Sequence, residues 1–156
     1  MLINSKRFLF FFTTILMLNF VSCQTKKVIN STKYENLTPE KKLEIDEYLA
    51  DAKKMVVKKE NEIALLFQYS CFFGKKIIVN DTYIEDFPKS PDKIHYGQKI
   101  INYPKSFGEI RIKLSNKKPF SIPQEKGYDY ITICYNEELD TLYIHYYNFP
   151  KMLIEE

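Results

Sequence analysis

The chain has little of what most recognisable active sites are built from: two histidines, four glycines, seven prolines and three cysteines in 156 residues. The histidines, His95 and His145, lie in no spacing that makes a metal site, and there is no His-Glu-x-x-His, so no metal is expected. No glycine loop of the kind that cradles phosphate is present, and no Gly-x-Ser-x-Gly, which removes the common nucleotide and hydrolase motifs and any basis for a cofactor. So few glycines and prolines, with no self-similar segments at a fixed spacing, also exclude collagen-like, low-complexity and solenoid chains. What is there is 45% hydrophobic and 15% aromatic, enough for one domain with a real core.

The N-terminus carries the clearest signal. Lys6 and Arg7 precede a run from Phe8 to Val21 broken only by Thr13, Thr14 and Asn19, the charge-then-apolar layout of an export signal. As a helix the 14-residue run would reach about 21 Å, short of the ~30 Å hydrocarbon core that a permanent span crosses. It ends in Phe20-Val21-Ser22-Cys23, which resembles the lipobox of bacterial lipoproteins, with Phe20 standing where that pattern usually has Leu. The resemblance covers the first 23 residues only. It implies a signal peptide over 1–22, a diacylglyceryl group on the Cys23 thiol and a fatty acyl chain, such as palmitate, on the new amine. The mature protein is then expected on a membrane of a bacterial cell envelope, facing the periplasm or the cell surface.

Loss of residues 1–22 leaves 21 Lys and Arg against 20 Asp and Glu, so the footprint of a nucleic-acid binder is missing. Charge is uneven along the chain: residues 23–59 carry nine Lys against six acids, and residues 127–156 one Lys against six acids. Such runs are ordinarily solvated faces. Cys71 and Cys134 would share an oxidising compartment, but strand alternation argues against a bridge. Cys71 has the parity of Leu65, Phe67, Tyr69 and Phe73, a core-like set, while Cys134 has that of Thr132, opposite the apolar Ile131, Ile133 and Tyr135.

Residues 23–37 are polar and aperiodic and read as a flexible lipid-anchored tether, leaving 38–156 as a single globular domain. Thr38-Pro39-Glu40 predicts a helix start, and Ile45, Tyr48, Leu49, Ala52, Met55 and Val56 recur at helical spacing, giving a helix over about 39–58. Strands are expected at 63–69, 75–79, 82–87, 110–115, 120–122, 130–135 and 141–149, with Asn80-Asp81 and Asn136 to Asp140 as turns. Pro88 to Pro104 reads as one long loop. The whole predicts a mainly β fold, an antiparallel β-sandwich of immunoglobulin or transthyretin type with one N-terminal helix. Within it, 130–135 and 141–149 should form a hairpin with Ile131, Ile133, Leu142 and Ile144 on one face, so that Thr132→Lys is tolerated.

Six tyrosines fall in the last thirty residues. Alternation along the final strand puts Leu142, Ile144 and Tyr146 on one face and Tyr143, His145 and Tyr147 on the other. Flat rings with polar tips suit sugar stacking or a protein interface, unless the helix covers that face as the facing sheet covers its opposite. Glu137, Glu138 and Asp140 in a turn read as solubility charges. The expectation that follows is a non-catalytic membrane-anchored envelope lipoprotein whose partners are the membrane, through lipidated Cys23, and another protein. A glycan-binding module using Tyr143, Tyr147 and neighbouring acids is the alternative. A hydrolase gathering His95 or His145 with acids is the remaining one.

Overall fold

A computed structural model of the chain describes residues 25–81, 83–87, 97–114, 117 and 119–151. The expected signal peptide, Cys23, His95 and the stretch 88–96 lie outside them. Nine strands and one long helix among these residues form a mainly β fold in three layers, a helix on a five-stranded sheet on a four-stranded sheet.

The five-stranded sheet contains β1 (Lys26–Thr32), β2 (Glu62–Gln68), β5 (Gln98–Pro104), β8 (Tyr130–Asn136) and β9 (Thr141–Tyr147), in the order β1-β9-β8-β2-β5. The second contains β3 (Lys76–Val79), β4 (Tyr83–Asp86), β6 (Ile110–Leu114) and β7 (Phe120–Ile122), in the antiparallel order β4-β3-β6-β7. Asn80 and Asp81, at φ of 48° and 61°, make the tight β3–β4 turn, the left-handed conformation that hairpin turns need and that Asn and Asp tolerate. Ile63, Leu65 and Phe67 of β2, Ile131 and Ile133 of β8 and Leu142, Ile144 and Tyr146 of β9 meet Ile77, Val79, Ile110, Ile112 and Ile122 of the facing sheet. That apolar layer is the main core.

Helix α1 (Pro39–Met55) starts where capping chemistry allows it. Thr38 Oγ1 accepts the Lys41 N–H at 3.4 Å, Pro39 occupies the first turn where its missing N–H costs nothing, and Lys53 and Lys54 sit in the last turn. The helix ends three residues before the expected boundary, and beyond its end the Val57 carbonyl accepts from Asn102 Nδ2 of β5 at 2.6 Å. Ile45, Tyr48 and Ala52 pack with Tyr147 and Phe149 on the outer face of the five-stranded sheet, and Val56 packs on Ala64 and Leu66 of β2. With α1 on one face and the second sheet on the other, β2 is buried on both. This is why Ile63 to Phe67 is continuously apolar rather than alternating.

The hairpin register is the expected one: Ile133 lies opposite Ile144, Ile131 opposite Tyr146 and Tyr135 opposite Leu142, all in the core. Several other expectations are corrected. The segment 23–37 is not a tether throughout, since Lys26 to Thr32 is strand β1, paired in parallel with β9, and Tyr34–Asn36 is a turn of 3-10 helix. An edge strand with one neighbour and mostly exposed side chains has no apolar alternation to betray it. The C-terminal part of the Pro88 to Pro104 stretch is β5, antiparallel to β2 at the other edge, where Pro104 is tolerated at the last ladder position. The five-stranded sheet is mixed rather than antiparallel, with β1/β9 and β2/β8 parallel. Thr132 is only 9% exposed, so the face expected to tolerate a lysine is covered as well.

The largest correction concerns the cysteines. β2 stops at Gln68 and the chain turns into a single helical turn, Tyr69–Phe72, so strand parity no longer governs Cys71. Cys71 reaches Cys134 of β8 and the two form a disulfide with Cα atoms 5.2 Å apart.

Candidate functional site

The expected aromatic face exists as a row on β9, but it is not uniformly open. Tyr143, His145 and Tyr147 share the face of β9 opposite the main core, beside Val28, Asn30 and Thr32 of β1. Tyr143 is 38% exposed, at the position opposite Cys134. Two residues on, the rings of His145 and Tyr147 stack with centroids 4.2 Å apart and planes within 7° of parallel. Tyr147 then meets Phe149 edge-on at 5.4 Å, beneath α1. Phe149 in turn makes a T-shaped contact with Tyr34 at 6.1 Å, which ties the segment before the helix to the same cluster.

Burial sets the chemistry of this row. The His145 imidazole is held below its ordinary pKa, first by loss of solvent and then by the Lys151 ammonium. Its Nε2 lies 2.7 Å from Thr32 Oγ1, a bond between β9 and the edge strand. The Tyr147 phenol is pushed up by burial, with the Thr132 hydroxyl acting in the opposite sense. A half-buried neutral imidazole stacked on a phenol and held by a threonine hydroxyl is arranged as packing; the acids of the β8–β9 turn lie at the far end of the strand. Of the three residues, Tyr143 alone presents an exposed ring.

Another constellation was not visible in the sequence. At the end of the sheet away from the β8–β9 turn, Asp129 accepts from Lys58 Nζ at 2.8 Å and from Lys105 Nζ at 2.7 Å. Burial opposes ionisation of this carboxyl, but the two lysine hydrogen bonds outweigh it and hold its pKa below the usual range. Lys58 Nζ also lies 5.4 Å from the centroid of the Tyr130 ring. Beside them an open groove of about 400 Å³ is lined by Lys53, Val56, Val57, Lys58, Glu60 and Tyr130. Its residues come from the last turn of α1, the loop after it and the start of β8, about seventy positions further on, and no local motif joins them. Among the described residues there is no cluster of three or more His, Cys, Asp or Glu placed to hold a metal ion. No helix among them is long and apolar enough to cross a membrane.

No protein-family model, curated protein or solved structure matches the chain.

Proposed function

We propose that the chain is a bacterial envelope lipoprotein, exported and acylated at Cys23, whose β domain is a non-catalytic protein-binding or assembly module. The observation that carries this reading is the bridge between Cys71 and Cys134. It uses both cysteines of the folded body in the manner of an oxidising compartment, and the third, Cys23, follows Val21-Ser22 at the end of the apolar run. The two facing sheets support a sandwich-like scaffold. The parallel pairs β1/β9 and β2/β8 separate it from an all-antiparallel immunoglobulin or transthyretin order, so the proposal extends to the two-sheet sandwich and no finer. Binding of a protein is favoured by the edge strand β1, which pairs with β9 on one side and exposes Ile29. A glycan platform has less support, because His145 and Tyr147 stack on each other instead of lying open.

The test is palmitate labelling and fractionation of the protein expressed from its own host, beside Cys23→Ala. Label on the wild type alone, with release of the variant into the soluble fraction, is the expected result, and a variant that still sediments with membranes refutes the anchor. Cross-linking capture from the same envelopes should retain a stoichiometric protein that Ile29→Asp loses. Capture of none at all refutes the binding role.

A further inference from the structure

We propose that the anchored protein rests on the bilayer through the β8–β9 turn, with Leu139 seated among phospholipid at the acyl boundary. The inference depends on acylation at Cys23 as proposed above and adds to it the orientation of the folded body. The domain begins almost at the anchor: two residues separate Cys23 from Lys26, the first residue of β1. Thr25 is already fixed, its Oγ1 3.3 Å from Asp140 Oδ1, and the Lys26 N–H donates to the Asp140 carbonyl at 3.0 Å. Two extended residues reach about 7 Å, so a lipid on Cys23 brings Asp140 to the level of the headgroups. Nothing in so short a connection lets the body stand clear of the membrane.

The next residue back along the turn is Leu139, 63% exposed. An apolar side chain on the tip of a tight hairpin gains nothing from water, and the depth it needs, about 5–10 Å, is that of interfacial insertion. One leucine does not hold a protein on a bilayer, but a tether this short keeps it at high effective concentration there, so a weak contact is enough to set orientation. The turn looks acidic in the sequence, yet two of its three acids are matched in space. Glu137 accepts from Lys75 Nζ at 2.6 Å, and Asp140 accepts from the Tyr135 hydroxyl at 2.7 Å and from Lys117 Nζ at 3.2 Å. Lys26 and Lys27 flank them, Lys27 with its Nζ 2.9 Å from the Ser121 carbonyl of β7. Anionic headgroups therefore meet a surface with lysines beside every acid but Glu138. The Lys58–Asp129–Lys105 cluster and the groove beside it, at the opposite end of a seven-residue hairpin, then lie about 20 Å further from the lipid.

The chain has no tryptophan, so one introduced residue reports its own environment. The full-length protein carrying Leu139→Trp, Glu138→Trp or Val57→Trp is expressed with its signal, purified and reconstituted into vesicles of phosphatidylethanolamine and phosphatidylglycerol with brominated acyl chains. Val57, 68% exposed beside the distant groove, is the control position. The expected result is loss of most of the emission for Leu139→Trp and Glu138→Trp and none for Val57→Trp. Adding Leu139→Glu should restore the emission of Glu138→Trp. Flotation and the mass of the Cys23 peptide are read on the same samples. A chain that is not acylated overturns the anchor and this orientation with it. An acylated, floating chain whose turn reporters are unquenched, or quenched no more than Val57→Trp, overturns the orientation and leaves the anchor standing.

Discussion

Tyr147 lies with its ring stacked on His145 at 4.2 Å and in a T-shaped contact with Phe149, beneath α1, whereas Tyr143 on the same face of the same strand is exposed. One row of side chains thus serves two purposes, scaffold at one end and surface at the other. Tyr147→Ser removes a half-buried aromatic from the helix–sheet seam and is expected to cost ~2–3 kcal/mol. Tyr143→Ser should stay within about 0.5 kcal/mol of wild type. Urea denaturation of the two single variants checks this, and equal costs would show that the row acts as a unit.

The hairpin register makes a prediction about charge. Ile133 and Ile144 face each other in the main core, so Ile133→Asp or Ile144→Asp should abolish folding. Thr132 lies on the other face under the helix, and its hydroxyl is 3.5 Å from the His145 carbonyl. Thr132→Lys places a long charged side chain at a position only 9% exposed and should cost ~2 kcal/mol or more, in place of the tolerance that alternation alone suggests. A thermal melt of Thr132→Lys matching wild type would put the helix elsewhere.

The elements legible in the sequence are those whose side-chain burial is continuous or periodic. The apolar run of β2, the alternation Ile110, Ile112, Leu114 in β6 and the capped start of α1 each leave a periodic trace, because burial constrains every second or every third and fourth residue. The edges of the five-stranded sheet leave none. β1 reads Lys-Lys-Val-Ile-Asn-Ser-Thr and is held in the sheet by backbone pairing with β9 more than by side-chain burial. In β5 the last ladder position is a proline. The cysteine pair failed for a related reason: parity presumes a straight strand, and one helical turn at Tyr69–Phe72 re-aims Cys71. The Lys58–Asp129–Lys105 cluster is assembled purely by topology, from segments that no spacing rule connects.

The disulfide closes a loop of 63 residues between the end of β2 and β8. Loop-closure entropy for that length corresponds to about 4 kcal/mol of stabilisation, relative to the same fold with both thiols free. The double variant Cys71→Ser/Cys134→Ser should therefore lose ~2–4 kcal/mol in guanidinium unfolding, and wild type should show the same loss when reduced. A peptide map of protein isolated under alkylating conditions should find Cys71 and Cys134 joined. If both are alkylated in protein taken from its native compartment, the pairing described here does not form there.

The histidine of the stacked pair gives the fold a pH dependence with a definite sign. Burial, followed by the Lys151 ammonium, lowers the His145 pKa in the folded chain, so the unfolded chain binds a proton at higher pH than the native one does. Stability from this residue is therefore fully present above the unfolded value, about 6.5, and declines as pH falls below it until the folded value is reached. The lowered carboxylates Asp129, Glu137 and Asp140 act in the same direction but in a more acidic window, below the ordinary range of Asp and Glu. His145→Gln can still meet Thr32 Oγ1 but does not titrate. Denaturation midpoints followed from about pH 7.5 down to about pH 5 should fall for wild type and stay nearly level for His145→Gln. Parallel curves for the two proteins would mean that the imidazole is as solvated in the folded chain as in the unfolded one. The stack on Tyr147 would then have to be more open than its 4.2 Å separation describes.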